Sequence, residues 1–163
     1  MTTRGNNNGL GTLYGIGVGP GDPDLLTIKA KRALENVSVV SFTQLDDGKE
    51  SFALNVAREA FQAVQPTLIA ITIPSDDETP VESKTWTDAA EDIAGHLRQG
   101  RHVAFITEGD PMLYSECLLV LESVRSVMPE SNIEVIPGVS SVMAAARSSG
   151  TVSYTHLTQP TKA

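Results

Sequence analysis

The feature that most constrains this chain is Tyr14-Gly15-Ile16-Gly17-Val18-Gly19-Pro20-Gly21-Asp22-Pro23-Asp24, which closes an apolar run at 10–18 and places four glycines and two prolines within positions 15–23. Backbone of that composition bends tightly and carries few side chains, so the strand predicted over 10–18 must end in a bare turn. Residues 25–34 then have helical spacing. Ala30, Ala33, Leu34 and Val37 share a face, Thr27 is placed to cap the first turn, and Lys29, Lys31 and Arg32 fall toward solvent. Val37-Ser38-Val39-Val40-Ser41-Phe42 reads as a second strand, which completes a βαβ unit.

The alternation continues along the chain. Residues 43–50 read as a loop, and Phe52, Val56, Ala60 and Val64 recur at helical spacing. A strand at 67–73 is stopped by Pro74, and the polar stretch 75–84 is a loop. Trp86, Ala89, Ala90, Ile93 and Leu97 form the next helix face, with Gly100 as its stop. A strand at 102–106 runs into Thr107-Glu108-Gly109-Asp110-Pro111, a helix over 113–127 is closed by Met128-Pro129, and a strand at 133–136 leads through Pro137-Gly138-Val139-Ser140-Ser141 to a helix starting at 142–147. The pattern predicts an α/β fold, a mainly parallel sheet flanked by helices with right-handed crossovers.

Composition excludes several classes of function. A net charge of −8 without a Lys/Arg cluster offers no track for nucleic acid, Arg98, Arg101 and His102 being the nearest approach to one. The apolar runs are strand-sized, so no membrane span is expected. Residues 1–9 lack the apolar core of a signal peptide and read as a disordered leader, which makes a cytoplasmic location the default. Cys117 is the only cysteine and sits in an apolar run, where a small buried hydrophobe is the expected role. His96, His102 and His156 show no ligand spacing, so no metal is expected.

The chemistry is then sought in the three glycine turns, 15–23, 107–111 and 137–141, each following a predicted strand. Ligands of open α/β sheets bind outside the carboxyl ends of the strands, so the three turns are expected to meet at one crevice. The sixth position from Gly15 is Pro20 and from Gly17 is Asp22, so no G-x-G-x-x-G dinucleotide fingerprint is present, nor a Gly-Lys-Ser/Thr phosphate loop. Asp22, Asp24, Glu108 and Asp110 put negative charge where a phosphate needs positive. S-adenosylmethionine, with its sulfonium and ammonium groups, suits such turns better than a nucleotide does. The competing reading is a non-catalytic α/β binding module that keeps the turns as architecture.

Val18-Gly19-Pro20-Gly21-Asp22-Pro23-Asp24-Leu25-Leu26-Thr27-Ile28-Lys29-Ala30 resembles the amino-terminal signature of the tetrapyrrole methylases. Residues 107–115 and 135–141 resemble that family's next two motifs in order and spacing, and the branch most similar is the one methylating precorrin-2 at C20 in cobalamin biosynthesis, with the uroporphyrinogen-III and precorrin-4 branches as alternatives. The resemblance implies a homodimeric S-adenosylmethionine-dependent methyltransferase of two domains acting on a tetrapyrrole. It implies cofactor contacts at Pro20, Glu108, Gly109, Asp110, Leu113, Tyr114, Ser140 and Ser141, and substrate contacts at Gly21 and Asp22, with no catalytic side chain assigned. Leu113 and Tyr114 have the alternative of packing the start of a helix, and Asp110 that of capping one. The expected organisation is a leader (1–10), a cofactor and substrate domain (11–130), the beginning of a second domain (131–150) and a tail (151–163) unlike the family, which resembles a translated adaptor and implies a fragment of a longer enzyme, inactive alone.

Overall fold

The computed structural model describes residues 9–76 and 79–150. Residues 1–8 of the expected leader, the tail at 151–163 and with it His156 lie outside the described residues. Five strands, β1 (Thr12–Gly17), β2 (Val39–Leu45), β3 (Thr67–Ile73), β4 (Val103–Thr107) and β5 (Asn132–Ile136), alternate with five helices, α1 (Ile28–Leu34), α2 (Phe52–Phe61), α3 (Ser83–Arg98), α4 (Cys117–Val127) and α5 (Ser141–Ser148). All strand pairs are parallel, in the order β3-β2-β4-β1-β5. Every carboxyl end therefore emerges at one edge of the sheet, as the α/β reading requires.

Side chains alternate across the sheet and divide the core in two. Ile16, Val40, Phe42, Ala104 and Ile106 pack on α1 and α2 on one face. Leu13, Val39, Val103 and Phe105 pack on α3 and α4 on the other. In β4, Val103, Ala104, Phe105 and Ile106 are all fully buried, the pattern of a strand covered on both faces.

Several predicted boundaries move, each for a local reason. The helix expected over 25–34 is split: Asp22 accepts the Asp24 N–H at 2.9 Å and caps a 3-10 turn at Pro23–Leu25, and the Thr27 hydroxyl accepts the Ala30 N–H at 3.1 Å and starts α1 afresh. The strand expected over 37–42 continues to Leu45, which pairs with Ile73. The expected apolar face of α2 is rotated. Ala53, Leu54, Val56, Ala57, Ala60 and Phe61 are buried, whereas Phe52 and Val64 are exposed, because small Ala53, Ala57 and Ala60 form the side that can approach the sheet closely. The helix expected over 113–127 starts only at Cys117, since Tyr114 takes a left-handed φ of 50° and interrupts it. Strand β5, expected to open a second domain, is hydrogen-bonded to β1 and forms an edge of the one described sheet.

The basic residues work at the opposite edge from the turns. The Arg101 guanidinium donates to the Ser38 carbonyl at 3.1 Å and the Thr67 hydroxyl at 3.0 Å, and His102 Nδ1 accepts the Thr12 N–H at 3.0 Å. They tie down the amino ends of the strands. Cys117 is fully buried and packs over Gly15, where a Cβ would lie 2.7 Å from its Sγ. Burial, followed by the carboxylates of Asp110 and Glu116, pushes this thiol up to about 12.

The folded thiol keeps its proton at pH values where the unfolded one, with a pKa of about 8.5, has lost it. Cys117 should thus resist Ellman's reagent in the native chain, and stability should fall as pH rises from about 9 toward 12. Urea unfolding at neutral and alkaline pH should show a flatter alkaline decline for Cys117→Ala.

Candidate functional site

The turns after β1, β4 and β5 meet backbone to backbone. Gly19 and Gly109 exchange hydrogen bonds in an isolated antiparallel bridge, the Gly19 N–H donating at 3.2 Å and the Gly109 N–H at 2.9 Å. Both glycines are left-handed, with φ of 84° and 58°. A Cβ on Gly17 would collide with the Gly109 carbonyl and lie 2.8 Å from the Gly138 nitrogen, and one on Gly138 would collide with the same carbonyl and lie 2.8 Å from the Gly17 oxygen. The glycines are thus required by one another, independently of any ligand.

Asp110 locks this seam. One carboxylate oxygen accepts the Met112 N–H of its own turn at 2.9 Å, and the other accepts the Gly138 N–H of the third turn at 3.1 Å. Asp110 does not cap a helix, since α4 starts only at Cys117; it closes its own turn and adds a cross-turn bond that spacing alone does not reveal. Ser140 caps α5 by accepting the Val142 N–H at 3.2 Å, and the exposed Ser141 begins that helix. Pro20 and Gly21 are half-buried and Asp22 is exposed.

A cleft of about 500 Å³ opens on the other side of β4, over the carboxyl ends of β2 and β3. Glu108 and Tyr114 line it with Leu45, Phe52, Ile73 and Glu116. Leu113 is exposed and Tyr114 almost wholly so, which corrects the alternative that they pack a helix start. The turn that presents Tyr114 is fixed by the Leu113 N–H donating to the Asp110 carbonyl at 3.1 Å and by the Ser115 hydroxyl, which donates to Thr107 Oγ1 at 2.9 Å and accepts the Cys117 N–H at 3.0 Å. Burial, and secondarily the Glu116 carboxylate, raises the Glu108 pKa above the usual carboxylate value.

The expected site residues thus fall into two groups flanking the end of β4. Pro20, Gly109, Asp110, Ser140 and Ser141 belong to the seam, whereas Glu108 and Tyr114 face the cleft. Sequence reading missed Phe52 as a lining residue because its helical spacing matched a core position, and it missed Glu116 because nothing in the spacing places residue 116 beside residue 108. Among the described residues, no group of three or more His, Cys, Asp or Glu could hold a metal ion, and no helix is long and apolar enough to cross a membrane.

Comparison with known proteins places these observations. Residues 12–159 match the family described as Tetrapyrrole (Corrin/Porphyrin) Methylases, a range that extends into the segment set apart as a tail. The chain is 34% identical over 142 residues to the cobalamin biosynthesis protein CobIJ of Mycobacterium tuberculosis, covering 83% of this chain and 27% of that protein. It is 32% identical over 136 residues to the cobalt-precorrin-2 C(20)-methyltransferase of Salmonella typhimurium, covering 83% of this chain and 56% of that enzyme. Among solved structures, a cobalamin synthesis related protein from Corynebacterium diphtheriae superposes with a TM-score of 0.68 at 26% identity, over 94% of this chain and 62% of that one. The chain therefore spans between about a quarter and just over half of the length of these curated relatives.

Removing the Asp110 carboxylate should release both N–H groups it accepts. Asp110→Ala should lower the free energy of unfolding by about 2 kcal/mol, more than the roughly 1 kcal/mol of Ser140→Ala, which loses one cap. Gly138→Ala should also destabilise, because its methyl group has nowhere to go. Urea denaturation of the three variants checks the order.

Proposed function

Because the chain belongs to the tetrapyrrole (corrin/porphyrin) methylases, we propose that its protein transfers a methyl group from S-adenosylmethionine to a carbon of a tetrapyrrole, with precorrin-2 methylated at C20 in cobalamin biosynthesis as the substrate. The observation that carries this reading is the meeting of the three motif turns, through Gly17, Gly109 and Gly138, at the carboxyl edge of the sheet. The 32% identity to a cobalt-precorrin-2 C(20)-methyltransferase supports the choice of substrate.

The donor set fits the cofactor. Carboxylates of Asp22, Glu108 and Asp110 stand on turns of bare backbone, a setting for positive charge and hydrogen-bond donors, not for phosphate. When bound, S-adenosylmethionine supplies a methyl group on positively charged sulfur. Pro20, Glu108, Gly109, Asp110, Leu113, Tyr114, Ser140 and Ser141 would hold it, and Gly21 and Asp22 would face the substrate. The seam gives these groups a fixed geometry, since the turns are bonded to each other. The attacking carbon belongs to the substrate, so the protein's task is to align it with methyl and sulfur and to exclude water. No nucleophilic side chain is needed. A homodimer and a cytoplasmic location go with this reading, and sedimentation of the purified protein checks the first.

Calorimetric titration with S-adenosylhomocysteine tests the proposal. The chain should bind it, and Gly109→Val should abolish binding, because φ of 58° strains any side chain there and its Cβ would point toward the Ser141 nitrogen at 3.4 Å. Absence of heat with the unaltered chain would sink the reading. A cationic ligand favours ionised Glu108, whose pKa is raised, so protons compete with it in acid. Affinity for S-adenosylmethionine should therefore rise from pH 5 to pH 7, and Glu108→Gln should flatten the rise. Mass analysis of the product from precorrin-2, compared with other tetrapyrroles, tests the substrate.

A further inference from the structure

The residues between β4 and α4 favour an earlier helix start than the one that is built. Asp110 followed by Pro111 is the pairing of an N-cap residue with a first helical residue, and residues 113–127 keep helical spacing. Part of that start exists. The Asp110 carboxylate accepts the Met112 N–H at 2.9 Å, the bond an N-cap residue makes two positions on, and the Asp110 carbonyl accepts the Leu113 N–H at 3.1 Å. The chain then breaks at Tyr114, φ 50°, and regular helix begins only at Cys117.

Burial does not select the broken form. Met112 and Leu113 are exposed and Tyr114 is 97% exposed, so none of the three side chains gains a core by it. A tyrosine in the left-handed region persists only where its surroundings impose it. The constraint lies on the next residue. The Ser115 hydroxyl donates to Thr107 Oγ1 at 2.9 Å and accepts the Cys117 N–H at 3.0 Å. Thr107 is the last residue of β4 and only 7% exposed, so its hydroxyl is a fixed point in the sheet. Glu116, at the N-cap position of α4, makes no side-chain bond to the helix, and Ser115 takes over an orphan N–H of its first turn.

We propose that Thr107 and Ser115 are positioning residues, whose hydroxyl pair holds 111–116 as a broken first turn of α4 and so keeps Leu113 and Tyr114 where the methyl donor would meet them. The inference rests on the methyltransferase reading. Without the pair, the Cys117 N–H passes to the Leu113 carbonyl four residues back, Tyr114 leaves the left-handed region, and the segment joins α4 as regular helix. That rearrangement turns Leu113 and Tyr114 onto the surface of a longer helix, away from the Gly109 turn. The buried Thr107 hydroxyl would lose its partner, which is the cost that keeps the native turn broken.

Ser115→Ala and Thr107→Val remove the bond from either side, whereas Ser115→Thr and Thr107→Ser retain it. Backbone NMR of the unliganded chain, through amide–Hα couplings and short-range NOEs over 112–116, reads the conformation. Tyr114 should have positive φ in the unaltered chain and the two conservative variants, and residues 113–116 should be helical in the other two. Calorimetric titration with S-adenosylhomocysteine reads the consequence: the bond-breaking variants should bind about tenfold more weakly and the conservative ones within about threefold of the unaltered chain. Thr67→Val removes a hydroxyl bond at the opposite edge of the sheet and should lower the melting temperature by a similar amount while leaving both readouts unchanged, which separates positioning from general loss of stability. A broken turn that survives in Ser115→Ala and Thr107→Val overturns the proposal. Helical 113–116 with undiminished affinity overturns it also, since the pair would then shape the turn without serving the donor. No binding by the unaltered chain defeats the methyl-donor reading, and in that case helical 113–116 in the bond-breaking variants still supports the pair as what holds the turn.

Discussion

The structure depends on three peptide segments touching without side chains between them. Gly17, Gly109 and Gly138 bring the ends of β1, β4 and β5 so close that a single methyl group on Gly17 or Gly138 would overlap neighbouring backbone. At that distance the orphan polar groups of the turns find partners in one another: Gly19 with Gly109, and Gly138 with Asp110. The turns become one hydrogen-bonded unit in place of three independent loops. That explains how a region with so few side chains can be ordered, given the conformational entropy glycine loses on folding.

The unit is anchored by the most deeply buried strand. β4 lies between β2 and β1, with helices on both faces, so Thr107 enters the turn from a position fixed on every side. The Val18 N–H donates to the Thr107 carbonyl at 2.9 Å and carries the ladder past the last residue of β1. Glu108, Gly109 and Asp110 follow directly. Their placement is therefore inherited from the packing of Phe105 and Ile106 in the two halves of the core.

The layer order and the meeting of the turns were legible in the sequence, because strand-sized apolar runs ending in Gly and Pro have few other solutions in an α/β domain. Asp110 was legible as an acceptor for its own turn's backbone, though not for a helix, and its bond to Gly138 was not legible, since residues 28 positions apart share no local signal. The start of α4 was misplaced because residues 113–116 have acceptable helical spacing. What stops the helix is the backbone of Tyr114, held by Thr107 and Ser115, a tertiary constraint that overrides propensity. Phe52 shows the limit most clearly. Its spacing with Val56 and Ala60 is that of a core face, and the register of α2 on the sheet, set by Ala53, Ala57 and Ala60, turns it out into the cleft.

The two sides of β4 differ in build, bare backbone on one and side chains on the other. In-line methyl transfer, the proposed activity, requires that donor and acceptor be held within a fraction of an ångström, and the glycine seam is bonded turn to turn. The cleft on the other side of β4 is lined by side chains instead. Phe52 and Tyr114 are exposed there and carry little of the core, Phe52 lying against Gly21 and Tyr114 standing next to the hydrogen-bonded Ser115. A substitution at Phe52 or Tyr114 therefore leaves the backbone contacts of the seam intact, whereas a side chain added at Gly17 or Gly138 would disrupt them.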